Sequence, residues 1–251
     1  MNQEQKKMTV FLTSSPSGPL DQPNDEKVLD EKNGFVKNLK NCWKPEMRGL
    51  IVASAPDAYD RNDEMKDFFF QAFSNSGVPV TEFDIWDHRR RQPDRETLAF
   101  YDVVMLGGGH VPTQNRYFEE IHLRECLEGY GGIVIGVSAG TMNSAGVVYA
   151  QPENPGESVD PDYRRFLHGL DLTEIMVLPH YQMVKDFMLD GKRLMEDITY
   201  ADSHGRQFLA LEDGSYLMIA DGKTRLFGRA HRIADGVLTT ICEDGESMLL
   251  A

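Results

Sequence analysis

Short apolar runs bounded by turn residues recur along the chain, and they alternate with segments whose apolar positions fall three and four residues apart. Met8 to Leu12, Leu50 to Ala53, Val78 to Ile85, Val103 to Leu106, Ile133 to Val137 and Ile175 to Leu178 read as strands. Between them, Asp60 to Ser76 carries Met65, Phe68, Phe69, Ala72 and Phe73 on one face of a helix, a stripe suited to packing on a sheet. Tyr117 to Tyr130 and Gln182 to Tyr200 show the same spacing, the second through Val184, Phe187, Met188, Leu194 and Ile198. This alternation predicts an α/β protein with a mostly parallel central sheet.

Toward the C-terminus the pattern changes. Phe208 to Leu211, Tyr216 to Ile219, Thr224 to Ala230 and Val237 to Ile241 are short runs split by Asp-Gly and Glu-Asp-Gly, which signal tight turns between antiparallel strands. A β-hairpin extension that closes the sheet is expected there. Ser14 to Lys32 and Gln151 to Tyr163 read as long loops, the second rich in proline and acids. Neither separates segments that could each own a core, so residues 1–251 read as a single domain.

The chain carries 26 Lys and Arg against 40 Asp and Glu, a formal charge of −14. A surface this acidic repels nucleic acid and anionic membranes, and neither is an expected partner. Cys42, Cys126 and Cys242 are too few and too scattered for a disulfide framework or a thiolate metal cluster. The opening MNQEQKKMTVFLTSS has an apolar stretch short of a signal-peptide core and far short of a membrane span, so a cytoplasmic location is expected.

The chemistry concentrates at GVSAG, residues 136–140, directly after the apolar run Ile133-Val-Ile. In G-x-S-x-G the glycines allow a sharp turn from strand to helix that leaves the serine exposed in a strained conformation. Small residues from Ala139 to Val148 suit a closely packed helix, whose first amide, Ala139, points at the space beside Ser138. A second amide can come from Gly107-Gly108-Gly109-His110, which follows another strand; Gly109 is the expected donor and Gly108 the alternative. Serine needs a base and the base an orienting acid. Of seven histidines, His180 stands at the end of an apolar strand, where it can face Ser138. Glu212 and Asp213 follow another strand and Glu153 lies after the nucleophile helix, so three acids are candidates.

The segments VVMLGGGHVPTQN, YGGIVIGVSAGTMNSA, VLPHYQ and FLALEDGSYLMI, in this order, resemble the dipeptidase E and cyanophycinase group of serine peptidases. The resemblance implies the class I glutamine amidotransferase-like fold, a flavodoxin-like three-layer sandwich. It implies Ser138 as nucleophile, His180 as base and the Gly109 and Ala139 amides as oxyanion hole. It puts Asp213 at the place of the acid, where the family usually has glutamate, while Glu153 stands about where an aspartate has also been assigned. His110 replaces a common asparagine at a position that often meets substrate, and Gln114 matches a motif glutamine expected to face the pocket or to cap a helix.

The expected function is hydrolysis of dipeptides or short peptides, aspartyl ones among them, through an acyl-enzyme, with no metal or cofactor. Serine in place of cysteine at the elbow disfavours glutamine-derived ammonia transfer. Two alternatives are an esterase using the same serine, with His231 as its base, and an amidotransferase-like binding or regulatory protein without activity. A small peptide is the expected partner, and a homodimer is one compatible state.

Overall fold

The computed structural model describes residues 7–90 and 94–250. Residues 1–6, 91–93 and 251, among them the start of the N-terminal stretch considered above as a leader, lie outside the described residues. The first half follows the alternating pattern: β1 (Thr9–Thr13), α1 (Phe35–Cys42), β2 (Met47–Val52), α2 (Tyr59–Asn75), β3 (Val80–Trp86), α3 (Arg95–Leu98), β4 (Val103–Leu106), α4 (Val111–Glu120), α5 (Leu123–Leu127), β5 (Ile133–Val137) and α6 (Ala139–Asn143). After the paired β6 (Val147–Tyr149) and β7 (Phe166–His168) come β8 (Met176–Leu178), α7 (Tyr181–Val184), β9 (Met188–Leu189), β10 (Lys192–Arg193) and α8 (Tyr200–Asp202). The chain ends in β11 (Gln207–Leu211), β12 (Tyr216–Ala220), β13 (Lys223–Phe227), β14 (Ala230–Ala234), β15 (Val237–Cys242) and β16 (Ser247–Leu250).

An eight-stranded sheet in the order β16-β13-β12-β1-β5-β4-β2-β3 forms the centre, and β1, β5, β4, β2 and β3 run parallel in it. The strands β12, β13 and β16 add to it by antiparallel pairing next to β1. Because successive side chains point to opposite faces, Phe11, Ile51, Met105 and Ile135 pack under α1 and α2 against Phe35, Leu39, Phe69 and Phe73. On the other face Val10, Leu12, Val52, Leu106 and Val134 meet Tyr117, Phe118 and Leu123 of α4 and α5. Each such side chain, fully buried, contributes about 1.5–3 kcal/mol, so the parallel strands are held from both sides and their ends are rigid supports.

The strand expected at Ile175 to Leu178 forms, but it does not join the central sheet. It pairs in parallel with β11 in a separate four-stranded sheet, β15-β14-β11-β8, whose Val177, Leu209 and Leu211 press on the same core as Val10 and Leu12. The long helix expected from Gln182 to Tyr200 is also absent. Asp190 (φ 53°) and Gly191 (φ 79°) make a tight hairpin turn between β9 and β10, followed by a wide helical turn at Leu194–Thr199. Tyr117 to Tyr130 divides into α4 and α5 at His122, which takes a left-handed conformation (φ 51°), and Thr224 to Ala230 breaks at Gly228 (φ 87°). The helix after GVSAG stops at Asn143, since the chain re-enters strand at Val147. Among the described residues no helix is long and apolar enough to cross a membrane.

Candidate active site

Two pairs of parallel strands, β1 with β5 and β8 with β11, end at one place. The residues just past those ends are Ser14, Ser138, His180 and Asp213. The crossing from the smaller sheet to the central one runs through Asp213, between β11 and β12, and backbone bonding from the Ser14 N–H to the Ser215 carbonyl ties that crossing to β1. The site therefore sits on the seam between the sheets.

Ser138 caps α6 with φ 50° and ψ −110°, a conformation rarely adopted by a side-chain-bearing residue and costing about 1–3 kcal/mol. What holds it is close packing around it. A Cβ at position 140 would stand 2.2 Å from the Leu106 carbonyl oxygen, and one at 136 would stand 2.9 Å from Thr141 Cα. Glycine at both positions lets α6 press onto β4 and β5. The Thr13 carbonyl then accepts from the Ser138 N–H (3.2 Å) and from Thr141 Oγ1 (2.8 Å), locking the turn to the end of β1.

The Ser138 hydroxyl points at His180, with Oγ 2.9 Å from Nε2, and His180 Nδ1 lies 2.7 Å from Asp213 Oδ1. Asp213 is buried, and its second oxygen accepts from Gln182 Nε2 at 2.7 Å, while the Asp213 N–H donates to Gln182 Oε1 at 3.1 Å. Burial pushes the Asp213 carboxyl up, but hydrogen bonds from His180, Ser14 and Gln182 and the attraction of the imidazole outweigh it, and the acid is held below its ordinary value. An ionised carboxylate only accepts, so Nδ1 carries the imidazole proton and Nε2 is left to accept from Ser138.

The glycine loop lies against this serine. A Cβ on Gly108 would come 3.4 Å from Ser138 Cβ, and Gly109 takes φ +155° with Ser54 Oγ where its own Cβ would be. Ser54 Oγ donates to the Gly108 carbonyl at 2.6 Å, so the trans Gly108–Gly109 peptide turns its N–H away from Ser54. Ala139 sits at the first turn of α6, where N–H groups lack helical acceptors.

The other expected residues fall elsewhere. Gln114 does not face a pocket: it is fully buried, donating to the Gly107 carbonyl at 2.6 Å and accepting from Asn143 at 3.0 Å, so it braces the glycine loop from behind. His110 stands at the start of α4 and bridges Thr113 Oγ1 and Glu157 Oε1, each at 2.8 Å. Glu212 turns away from His180 toward His231 (3.1 Å), and His231 is buried there against the Tyr181 ring rather than near Ser138. The serine-histidine-acid order along the chain also differs from the esterase order, in which the acid precedes the histidine.

Glu153 is not in the Ser138–His180–Asp213 chain; its carboxyl accepts from the Val111 N–H at the start of α4. Protein packed around that carboxyl pushes it up to about 7, with the Glu157 charge adding to the rise, although the residue as a whole is exposed. The loop that carries it is clasped to the β9–β10 hairpin: Asp190 accepts from the Gly156 N–H (2.8 Å) and Ser158 Oγ (2.9 Å), and Lys192 Nζ donates to the Ser158 carbonyl (2.7 Å). Among the described residues no group of three or more His, Cys, Asp and Glu is arranged to hold a metal ion.

Ser14 was missed in the sequence, where it only opens a loop. Its hydroxyl donates to Asp213 Oδ1 at 2.6 Å and accepts the His180 N–H at 2.8 Å, and the residue is fully buried. Gln182 and Ser54 were missed as well, because their partners are distant in sequence.

A search of curated proteins finds no match. Among solved structures, the chain is similar to a peptidase from an acI-B1 Actinobacterium (18% identity, 97% of each chain covered, TM-score 0.60). It is also similar to a protein from Listeria monocytogenes EGD-e designated a peptidase E (14% identity, 93% of this chain and 98% of that one, TM-score 0.56). The model of peptidase family S51 matches residues 39–227, a span that runs from α1 through β13 and contains the elbow, the glycine loop, His180 and Asp213. On that match the chain belongs to peptidase family S51, the dipeptidase E family of serine peptidases.

Proposed function

We propose that this peptidase hydrolyses dipeptides or short peptides through Ser138, His180 and Asp213, on a single-domain, class I glutamine amidotransferase-like scaffold extended by C-terminal hairpin strands. The observation that carries the reading is the continuous hydrogen-bonded chain from Ser138 Oγ through the imidazole to the buried carboxylate. His180 takes the hydroxyl proton at Nε2 as Oγ attacks the peptide carbonyl. Asp213 orients the ring and stabilises the imidazolium that forms. The oxyanion is received by the Gly109 and Ala139 N–H groups. His180 then returns the proton to the leaving amine, an acyl-enzyme remains on Ser138, and water releases it by the same steps in reverse roles.

The clasped loop and hairpin favour short substrates over folded proteins. In this reading Glu153 receives the free α-ammonium of the substrate; its carboxyl accepts from the Val111 N–H, two residues past the glycine loop in the chain. His110, held by Thr113 and Glu157, forms part of the same wall.

The test is a panel of free and N-acetylated dipeptides, with Asp-X and β-aspartyl members, assayed with wild type and Ser138→Ala. Cleavage of free dipeptides by wild type alone supports the proposal. Equal cleavage by Ser138→Ala, or preference for blocked or long peptides, refutes it.

A further inference from the structure

Ser14 lies outside the span matched by the family model, yet its one hydroxyl touches two members of the proposed triad. A hydroxyl has one proton to give and lone pairs to accept with. Ser14 gives its proton to Asp213 Oδ1 (2.6 Å) and accepts the backbone N–H of His180 (2.8 Å). The remaining approach, 3.5 Å to His180 Nδ1, is long beside the 2.7 Å from Nδ1 to Asp213, so the imidazole proton belongs to the carboxylate.

The two bonds act on different weaknesses. His180 has a left-handed backbone (φ 57°), uncommon for a residue with a side chain, and the bond from its N–H to Ser14 fixes the peptide that carries the ring. Asp213 Oδ1 must meet Nδ1 in the plane of the ring, and a second donor on the same oxygen leaves the carboxylate little freedom to turn. Gln182 braces the other oxygen. Among the described residues the donors to this carboxylate are His180, Ser14 and Gln182; Asp30, in the loop that follows Ser14, is a like charge that feels it, and Glu212, next to Asp213 in the chain, bonds to His231 instead.

We infer that Ser14 is a positioning residue for the hydrolysis, acting through Asp213 and His180 rather than on substrate; this rests on the triad reading above. It makes the end of β1, well before the elbow in the chain, a working part of the site.

The experiment measures fluorophosphonate labelling rates per folded molecule and dipeptide kinetics across pH, for wild type, Ser14→Ala, Ser14→Thr, Asp213→Asn and Ser14→Ala/Asp213→Asn. Expected for Ser14→Ala is a fall in kcat of about 10- to 100-fold, the effect of losing a hydrogen bond to a charged group, with KM nearly unchanged. The acid limb should also move to higher pH, since a carboxylate stripped of a donor holds the protonated base more strongly. Ser14→Thr, which keeps a hydroxyl, should recover activity. In the Asp213→Asn background the same substitution should cost less than in wild type, because the bond to the charged carboxylate is already gone and only the one from the His180 N–H is left to lose. Wild-type kcat and pH profile in folded Ser14→Ala, or full additivity with Asp213→Asn, overturns the inference. If wild type itself fails to label, it is the triad reading that fails, and the role of Ser14 falls with it.

Discussion

Ser54 Oγ and the Gly108 carbonyl stand 2.6 Å apart, joining the end of β2 to the loop that borders Ser138. Because the peptide is trans, a donor on the carbonyl fixes where the following N–H points, and that N–H belongs to Gly109. Ser54→Ala is expected to lower kcat by about 10-fold, less than the 10²- to 10³-fold typical of deleting an oxyanion donor outright, while KM holds steady. Steady-state kinetics on one dipeptide checks this, and an unchanged kcat would remove Gly109 from the proposed hole.

Packing at the elbow makes a stability prediction. A methyl at Gly140 would collide with the Leu106 backbone, which cannot swing aside as a side-chain end can. Gly140→Ala should therefore destabilise the fold by about 1–3 kcal/mol, the usual cost of overpacking. Urea unfolding of the two proteins measures it, and equal stabilities would mean that α6 does not rest on β4 as closely as described.

Asp213 gives a pH dependence with a definite sign. Its acid is held below the ordinary value of 3.8, so its contribution to stability is present above that pH and is lost as pH falls through the lower, folded value. Asp213→Asn should be less stable than wild type at neutral pH, and the gap should close as the solution is acidified below about 4. A gap that stays constant from pH 7 to pH 3 contradicts this. The same substitution should depress kcat by on the order of 10⁴, through loss of the correct imidazole tautomer.

Glu153 predicts how substrate binding responds to pH. With its carboxyl at about 7 the charged form grows as pH rises through neutrality, and a free α-amine, titrating near about 7.7–8.0, is still protonated there. KM for free dipeptides should fall between about pH 6 and 7.5, KM for N-acetylated ones should not, and Glu153→Gln should flatten the first profile. Parallel profiles for both substrate types would take the ammonium-binding role away from Glu153.

How much was legible follows from the range over which each signal acts. The elbow is local: a strand, two glycines that let a helix press close, and a serine between them can be read from five residues. His180 and Asp213 each follow a strand end, so they too could be named, although β8 reaches the site from a second sheet rather than from the central one. The Asp190–Gly191 turn was present in the sequence, but apolar residues at helical spacing on either side, including the exposed Phe187 and Met188, masked it. For Gln114 the sequence leaves a pocket-facing and a helix-capping role open, since nothing local tells a buried amide from an exposed one. Ser14 was out of reach, because its partners lie 166 and 199 residues away and a serine after a strand looks like any turn residue.

The most direct measurement is intact-mass analysis of the protein after exposure to a fluorophosphonate, with the adduct located by peptide mapping. A single adduct on Ser138, absent from Ser138→Ala and slowed by orders of magnitude in a folded His180→Ala protein, is the predicted result. An adduct on another residue, or labelling of Ser138 that proceeds at the wild-type rate without the imidazole, would contradict the account.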